Sequence, residues 1–148
     1  MNEKLILRVV SKFLIPYILL FALYVQWHGD FGPGGGFQAG VIFAAGFTLY
    51  ALIFGVAPVR EVIPAAFTRY LLAVGVLLYS SVGVASLLMG GNFLDYNVLA
   101  HEATHGQHIG ILLVELGVGI TVACAMITIF CTFAGRAELN APEEEEED

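Results

Sequence analysis

Charged residues and cysteines are scarce in this sequence. Asp, Glu, Lys and Arg make up 13% of the 148 residues, and there are two cysteines. Soluble domains carry about 25% charged residues, so this composition excludes an ordinary soluble domain. Cys124 and Cys131 would lie about 10.5 Å apart along a helix, beyond the roughly 7 Å Cα limit for a disulfide, so no redox role follows.

The residues that are abundant are apolar. Hydrophobic residues make up 58% of the chain, and the mean hydropathy is +0.82. A spanning helix needs roughly 20 apolar residues, because the hydrocarbon core is about 30 Å thick and each residue rises about 1.5 Å. The sequence therefore predicts an all-α membrane protein with one domain over residues 1–136 and four transmembrane helices at about 5–27, 37–57, 70–89 and 109–133.

The basic residues predict how the bundle is oriented. All six precede or open the first helix, lie between the second and third helices, or follow the fourth: Lys4, Arg8, Lys12, Arg60, Arg69 and Arg136. Lys and Arg in short loops stay on the cytoplasmic side. We therefore expect a multi-pass protein of the inner or plasma membrane, with both termini cytoplasmic and the histidine-bearing loops outside.

The two ends of the chain carry different signals. The first apolar run has a basic start, but no A-x-A cleavage pattern follows Trp27, so we expect an uncleaved helix. At the other end, residues 143–148 read EEEEED. A block of like charges repels itself and stays solvated, so residues 137–148 are predicted to form a disordered, acidic cytoplasmic tail.

A glycine-rich loop, WHGDFGPGGGFQAG, joins the first two helices at residues 27–40. Gly34, Gly36 and Ala39 match a dinucleotide pattern, but that pattern works only between a strand and a helix. Pro33 and the glycines Gly34, Gly35 and Gly36 instead suit a tight re-entry at Phe37 into the second helix, and Gly36 with Gly40 forms a G-x-x-x-G face. Two interpretations stay open: a turn with a helix-packing face, or a segment lining an ion path.

The GPGGGFQAG segment followed by an apolar helix resembles the B subunit of the Mrp (Mnh) multisubunit sodium/proton antiporters. A second block, GQHIGILLVELGVGITV at residues 106–122, resembles that family's other characteristic segment. The family often has an aspartate where this chain has Glu115. The resemblance covers about residues 13–134.

The resemblance implies a non-enzymatic subunit surrounded by membrane lipid, whose partners are other antiporter subunits, including two large antiporter-like ones. It also implies sodium ions and protons as the transported species, with no cofactor and no nucleic acid. A hydrogenase-type host complex is the alternative.

Glu115 is the only carboxylate well inside a predicted span, about 9 Å below the interface if the helix begins near Ile109. Intramembrane acids are typical of ion pathways, although a protonated glutamate can also hold a subunit interface. On a continuous helix, His101, His105 and His108 share a face with Glu115 within an arc of about 80°. Imidazole titrates near neutral pH, so these histidines are candidates for collecting protons, or are ordinary surface residues.

The residues HEATH, 101–105, match the H-E-x-x-H zinc-peptidase signature. That chemistry needs His101 and His105 one helical turn apart, Glu102 to activate water, and a third ligand. His108 could serve only if the chain reversed at Gly106, because three imidazoles spread over about 10.5 Å of straight helix cannot reach one ion. We expect no catalytic residue and no metal site, with a small membrane zinc peptidase as a remote alternative to the antiporter subunit and to a purely structural scaffold subunit.

Overall fold

A computed structural model describes residues 2–29 and 32–139. Within these residues the chain folds into α1 (Asn2–His28), α2 (Gly36–Phe54), α3 (Val56–Val62), α4 (Ala65–Leu88), a 3₁₀ turn (Tyr96–Leu99) and α5 (Ala103–Leu139), and no strand occurs. Four of these helices, α1, α2, α4 and α5, are long and apolar enough to cross a membrane. The predicted all-α class with four membrane helices is confirmed. The predicted acidic tail lies outside the described residues from residue 140 onward.

The helix bounds differ from the predicted ones at several ends. The apolar run expected to continue to residue 57 breaks at Gly55, whose φ of 92° lies in the left-handed region that favours glycine. The short α3 follows, and Pro64 then precedes α4, which begins five residues before the expected Tyr70. The last helix begins at Ala103 instead of near Ile109. Its polar first two turns do not stop the helix, because they pack against the loop that precedes them.

The membrane helices pack in a row. Helix α1 lies along α2, α2 along α5, and α5 along α4, whereas α1 touches α5 only over a short stretch. Small residues allow the close approaches. A methyl group on Gly40 would lie 2.7 Å from the Gly119 carbonyl oxygen, and one on Gly75 would collide with the Thr121 hydroxyl. Glycine pairs of this kind bring helix backbones together in membranes, where van der Waals packing drives association.

The two helix pairs are displaced relative to each other along the helix axes. The loop that joins α1 to α2 lies against Glu115, yet α5 begins at Ala103, about 18 Å further along. On α4, Tyr79 contacts Gly117, and the helix continues to Leu88, about 13.5 Å beyond. The ends of α4 and α5 therefore project past the α1–α2 loop on the side where His28 and His105 lie, which we call the histidine side.

A cap formed by residues 91–100 covers the projecting ends of α4 and α5. The Phe93 ring lies against Gly83 of α4, and the Tyr96 ring lies against Gly110 of α5. The Gln107 side chain donates a hydrogen bond of 3.0 Å to Asn97, which ties the cap to α5. Burial raises the pKa of the Tyr96 hydroxyl, and the nearby Tyr79 adds to the rise. Tyr96 thus stays neutral at physiological pH, and this contact does not depend on pH in that range.

Candidate functional site at the glycine loop

The Glu115 side chain lies against the glycine loop. A Cβ on Gly29 would lie 2.5 Å from Oε2 and 2.8 Å from Oε1 of Glu115, and one on Gly35 would lie 3.2 Å from Oε1. The absence of side chains at these two glycines therefore makes the space that the carboxylate occupies. The two sequence blocks that resemble the antiporter subunit meet at this point.

The backbone of Glu115 is packed just as closely. A methyl group on Gly36 would collide with the main-chain carbonyl of Glu115, so no other residue type fits at this position without moving α2 away from α5. Gly36 is the first residue of α2, and Gly35 before it has a φ of 129°. Glycine is thus required at Gly35 by the backbone conformation and at Gly36 by the close contact.

The start of α2 gives this site a favourable electrostatic environment for a carboxylate. The N-cap residue of α2 is Gly35, which offers no side chain to its first N–H groups. The first N–H groups of a helix have no intrahelical partner, and the helix dipole places partial positive charge there. The carboxylate beside this end comes from Glu115 on α5. The carboxylate therefore lies beside a helix end whose partial charge is of the opposite sign.

The remaining loop residues shape the approach to this site. Gly34 packs on the chain at the end of α1, where a Cβ would lie 2.8 Å from the Val25 carbonyl oxygen. The Gly35 N–H donates a hydrogen bond of 3.4 Å to the same carbonyl. Pro33 and Phe37 are exposed, and Phe37 retains 64% of its surface. Gly40, one turn into α2, faces Gly119 of α5 and not the carboxylate.

Sequence reasoning missed Gln26, which lies one turn before Gly29 on α1. Its side chain is only 7% exposed, its Oε1 atom faces Gly119, and its Nε2 atom has no hydrogen-bond partner among the described residues. The signal was available as a single amide in the run LLFALYVQWH, near the end of an apolar helix. A glutamine near a helix end also suits a membrane interface, so the sequence alone does not distinguish this residue.

The histidines do not form the single helical face that was expected. His101 lies two residues before α5 begins, so the expectation is corrected for this residue, because it is not helical. His105 and His108 lie on α5 and are exposed on the histidine side. His108 falls about 20° from Glu115 around the helix and about 10.5 Å from it along the axis. The two histidines therefore lie on the approach to the site and do not reach the carboxylate directly.

The H-E-x-x-H geometry is not formed. Helix α5 begins at Ala103, between the two histidines of the motif, so His101 and His105 do not project from successive turns of one helix. The chain also runs as a continuous helix through Gly106, without the reversal that would bring His108 back. Among the described residues, no group of three or more His, Cys, Asp or Glu side chains could hold a metal ion.

Comparisons with known proteins identify the family. Residues 6–128 match the sequence model described as "Domain related to MnhB subunit of Na+/H+ antiporter". The chain belongs to the MnhB family. Relatives named "Putative antiporter subunit mnhB2" occur in Staphylococcus aureus (strain Newman) and Staphylococcus haemolyticus (strain JCSC1435). Each is 34% identical over 137 residues, which cover 90% of this chain and 96% of the relative.

Membership of the MnhB family confirms the resemblance given by the glycine loop and by the segment around Glu115. Both blocks lie inside the matched residues, and the acidic tail lies outside them. With four apolar helices of spanning length, this MnhB chain is a multi-pass protein of the cell membrane. The relatives are named as antiporter subunits, which are parts of transporters rather than enzymes.

Proposed function

We propose that this chain is a non-catalytic membrane subunit of a multisubunit sodium/proton antiporter, and that Glu115 is a step in its ion or proton path. The observation that carries this proposal is the position of the Glu115 carboxylate against Gly29 and Gly35, beside the start of α2. An ionisable group in an apolar bundle is costly to keep, and this arrangement provides a space and a positive helix end for it.

Access to Glu115 comes from the histidine side in this proposal. Glu115 contacts the α1–α2 loop at Gly29 and Gly35, and α4 and α5 continue past this level toward the histidine side. His105 and His108 are exposed on this part of α5. His108 lies about 10.5 Å from Glu115 along the axis, so proton transfer between them would need water. His101 lies further out, in the turn before α5, and belongs to the entrance only. Imidazole suits proton exchange with the solvent near neutral pH.

We also propose that both termini are cytoplasmic and that other antiporter subunits cover part of the bundle. Arg8 and Lys12 of α1 lie over the Phe54 ring, with 5.9 Å and 5.4 Å from their charged atoms to the ring centroid. The basic residues thus gather at the end opposite the histidine side, which supports cytoplasmic termini. Only 11% of the most apolar 18-residue part of α1 is buried within the chain. This supports coverage by the other antiporter subunits, including the large antiporter-like ones, and by lipid.

A second candidate is a purely structural scaffold subunit of an antiporter or of a related hydrogenase-type complex. The contact of Gly36 with the Glu115 backbone favours it, because that contact fixes α2 on α5 whatever the charge of the side chain. In this case Glu115 would serve as a hydrogen-bonding group that holds the crossing together. A neutral amide of the same shape would then replace it without loss of transport.

Sodium/proton exchange by assembled complexes carrying Glu115→Gln separates the two candidates. The substitution preserves shape but removes the ionisable group, so the ion-path proposal predicts that exchange in everted membrane vesicles is lost. Glu102→Gln, the same chemical change at an exposed position before α5, is the matched control and should exchange normally. Complex abundance is measured in the same membranes. Normal exchange by Glu115→Gln at normal abundance would leave the scaffold as the better account.

A further inference from the structure

The end of α1 crosses α5 with two matched contacts, each between a glycine on one side and a polar side chain on the other. In the first, Gly29, the turn residue directly after α1, faces the Glu115 carboxylate. In the second, Gln26 of α1 faces Gly119 of α5. The contacts are separated by three residues at the end of α1 and four on α5, which is about one helical turn of 4.5 to 6 Å. Gln26 is therefore the next polar side chain inward from Glu115 at this crossing.

The amide of Gln26 is buried and incompletely satisfied. Only 7% of the residue is exposed, and Nε2 has no hydrogen-bond partner among the described residues. Its other polar atom, Oε1, would lie 2.5 Å from a Cβ on Gly119, so the amide uses the room that this glycine leaves. A buried polar group without a partner indicates a water or an ion that belongs at the site.

The surroundings of Gln26 allow its amide to turn. An apolar cavity of about 260 Å³ adjoins Gln26 and extends inward between Ala22, Leu116 and Ile120. Rotation of the terminal amide exchanges its donor and acceptor ends. Turned one way, the amide presents a carbonyl oxygen to a cation, and turned the other way it presents N–H groups to a carboxylate. In this arrangement the amide can interact with a bound cation, or with the Glu115 carboxylate when no cation is bound.

We propose that the Gln26 amide and the Glu115 carboxylate together form a binding site for a small monovalent cation at the α1–α5 crossing. Carboxylate and carbonyl oxygens are the ligands that hard cations prefer. The carboxylate can take either a proton or a cation, whereas the amide oxygen is not protonated near neutral pH and adds a ligand for the cation. Gln26 thus favours the cation over the proton at Glu115. The inference rests on the proposed function, because it assumes that Glu115 takes part in the ion path.

The test compares Gln26→Leu with Gln38→Leu in assembled complexes. Gln38 is an exposed glutamine on α2, so it controls for the loss of an amide in this region. The measurements are the apparent KM for Na⁺ and for Li⁺ in sodium/proton exchange by everted vesicles. Loss of one charge-assisted contact of about 1.4 kcal/mol raises KM about tenfold, and we expect this for both cations in Gln26→Leu. We expect the KM of Gln38→Leu to match that of the wild type.

If Gln26→Leu assembles poorly, the variant Gln26→Asn is used instead. This variant keeps the amide but withdraws it by one methylene. Binding of ²²Na⁺ to the purified complex is then measured together with exchange. Weakened ²²Na⁺ binding with a raised KM supports the site. If the Gln26 variants have wild-type KM and wild-type binding while Glu115→Gln is inactive, the role of Gln26 is overturned and the proposed function is not. Full exchange by Glu115→Gln overturns the proposed function and this site with it.

Discussion

Replacing Gly36 with alanine tests the close contact between α2 and α5. The added methyl group would collide with the main-chain carbonyl of Glu115, and the Glu115 Cα atom would lie 3.0 Å away. Both obstacles belong to the backbone of α5, so no side-chain rotation relieves them, and α2 has to move. Forcing extra methyl groups into packed interiors costs typically 1–3 kcal/mol. We expect Gly36→Ala to lower the free energy of unfolding by about that amount.

Gly135→Ala is the matched control for this prediction. Gly135 also lies in a membrane helix, but nothing lies within 4 Å of the position that its Cβ would occupy. Alanine is favoured over glycine in a helix by about 0.5–1 kcal/mol, so this variant should be neutral or slightly more stable. Both free energies are measured by unfolding the purified chain from mild detergent with sodium dodecyl sulfate. Equal stability of the two variants would refute the close contact between α2 and α5.

Two further predictions concern the opposite end of the bundle. Phe54→Leu removes the ring that Arg8 and Lys12 overlie, and we expect a loss of about 0.5–1 kcal/mol in the same unfolding assay, smaller in high salt. Wild-type stability of this variant at low salt would mean that these contacts contribute nothing. A protease-sensitive tag fused after residue 148 should be cleaved in everted vesicles and protected in intact cells, as the basic residues predict. Protection in everted vesicles would reverse the orientation.

The helices were largely predictable from the sequence because length and apolar composition decide whether a segment spans a membrane. The break at Gly55 was not, since the residues on both sides of it are equally apolar and only the backbone conformation of Gly55 ends the helix. The early start of α5 was missed for the opposite reason. Residues 103–108 are polar, and their helix depends on the cap around Tyr96, a contact that hydropathy does not reveal.

The site itself was predictable only in part. Glu115 and the glycine loop were recognised separately, from an acid inside an apolar run and from a family motif. Their contact depends on the displacement of α1 and α2 along α4 and α5, which no local pattern encodes. Gln26 illustrates the same limit, because its importance comes from the helix that faces it and not from its neighbours in sequence. The prediction that His101 shares a helix face with Glu115 was wrong, because α5 begins at Ala103 and helical periodicity does not apply before it.

The most direct test of the central claim compares Glu115→Asp with Glu115→Gln in one exchange assay. Sodium-driven proton movement is recorded in everted vesicles and divided by the amount of assembled complex. Aspartate keeps an ionisable carboxylate beside the start of α2, so we predict that Glu115→Asp retains substantial exchange while Glu115→Gln retains none. Equal exchange per complex in the two variants would contradict the claim that the charge of Glu115 takes part in the ion path.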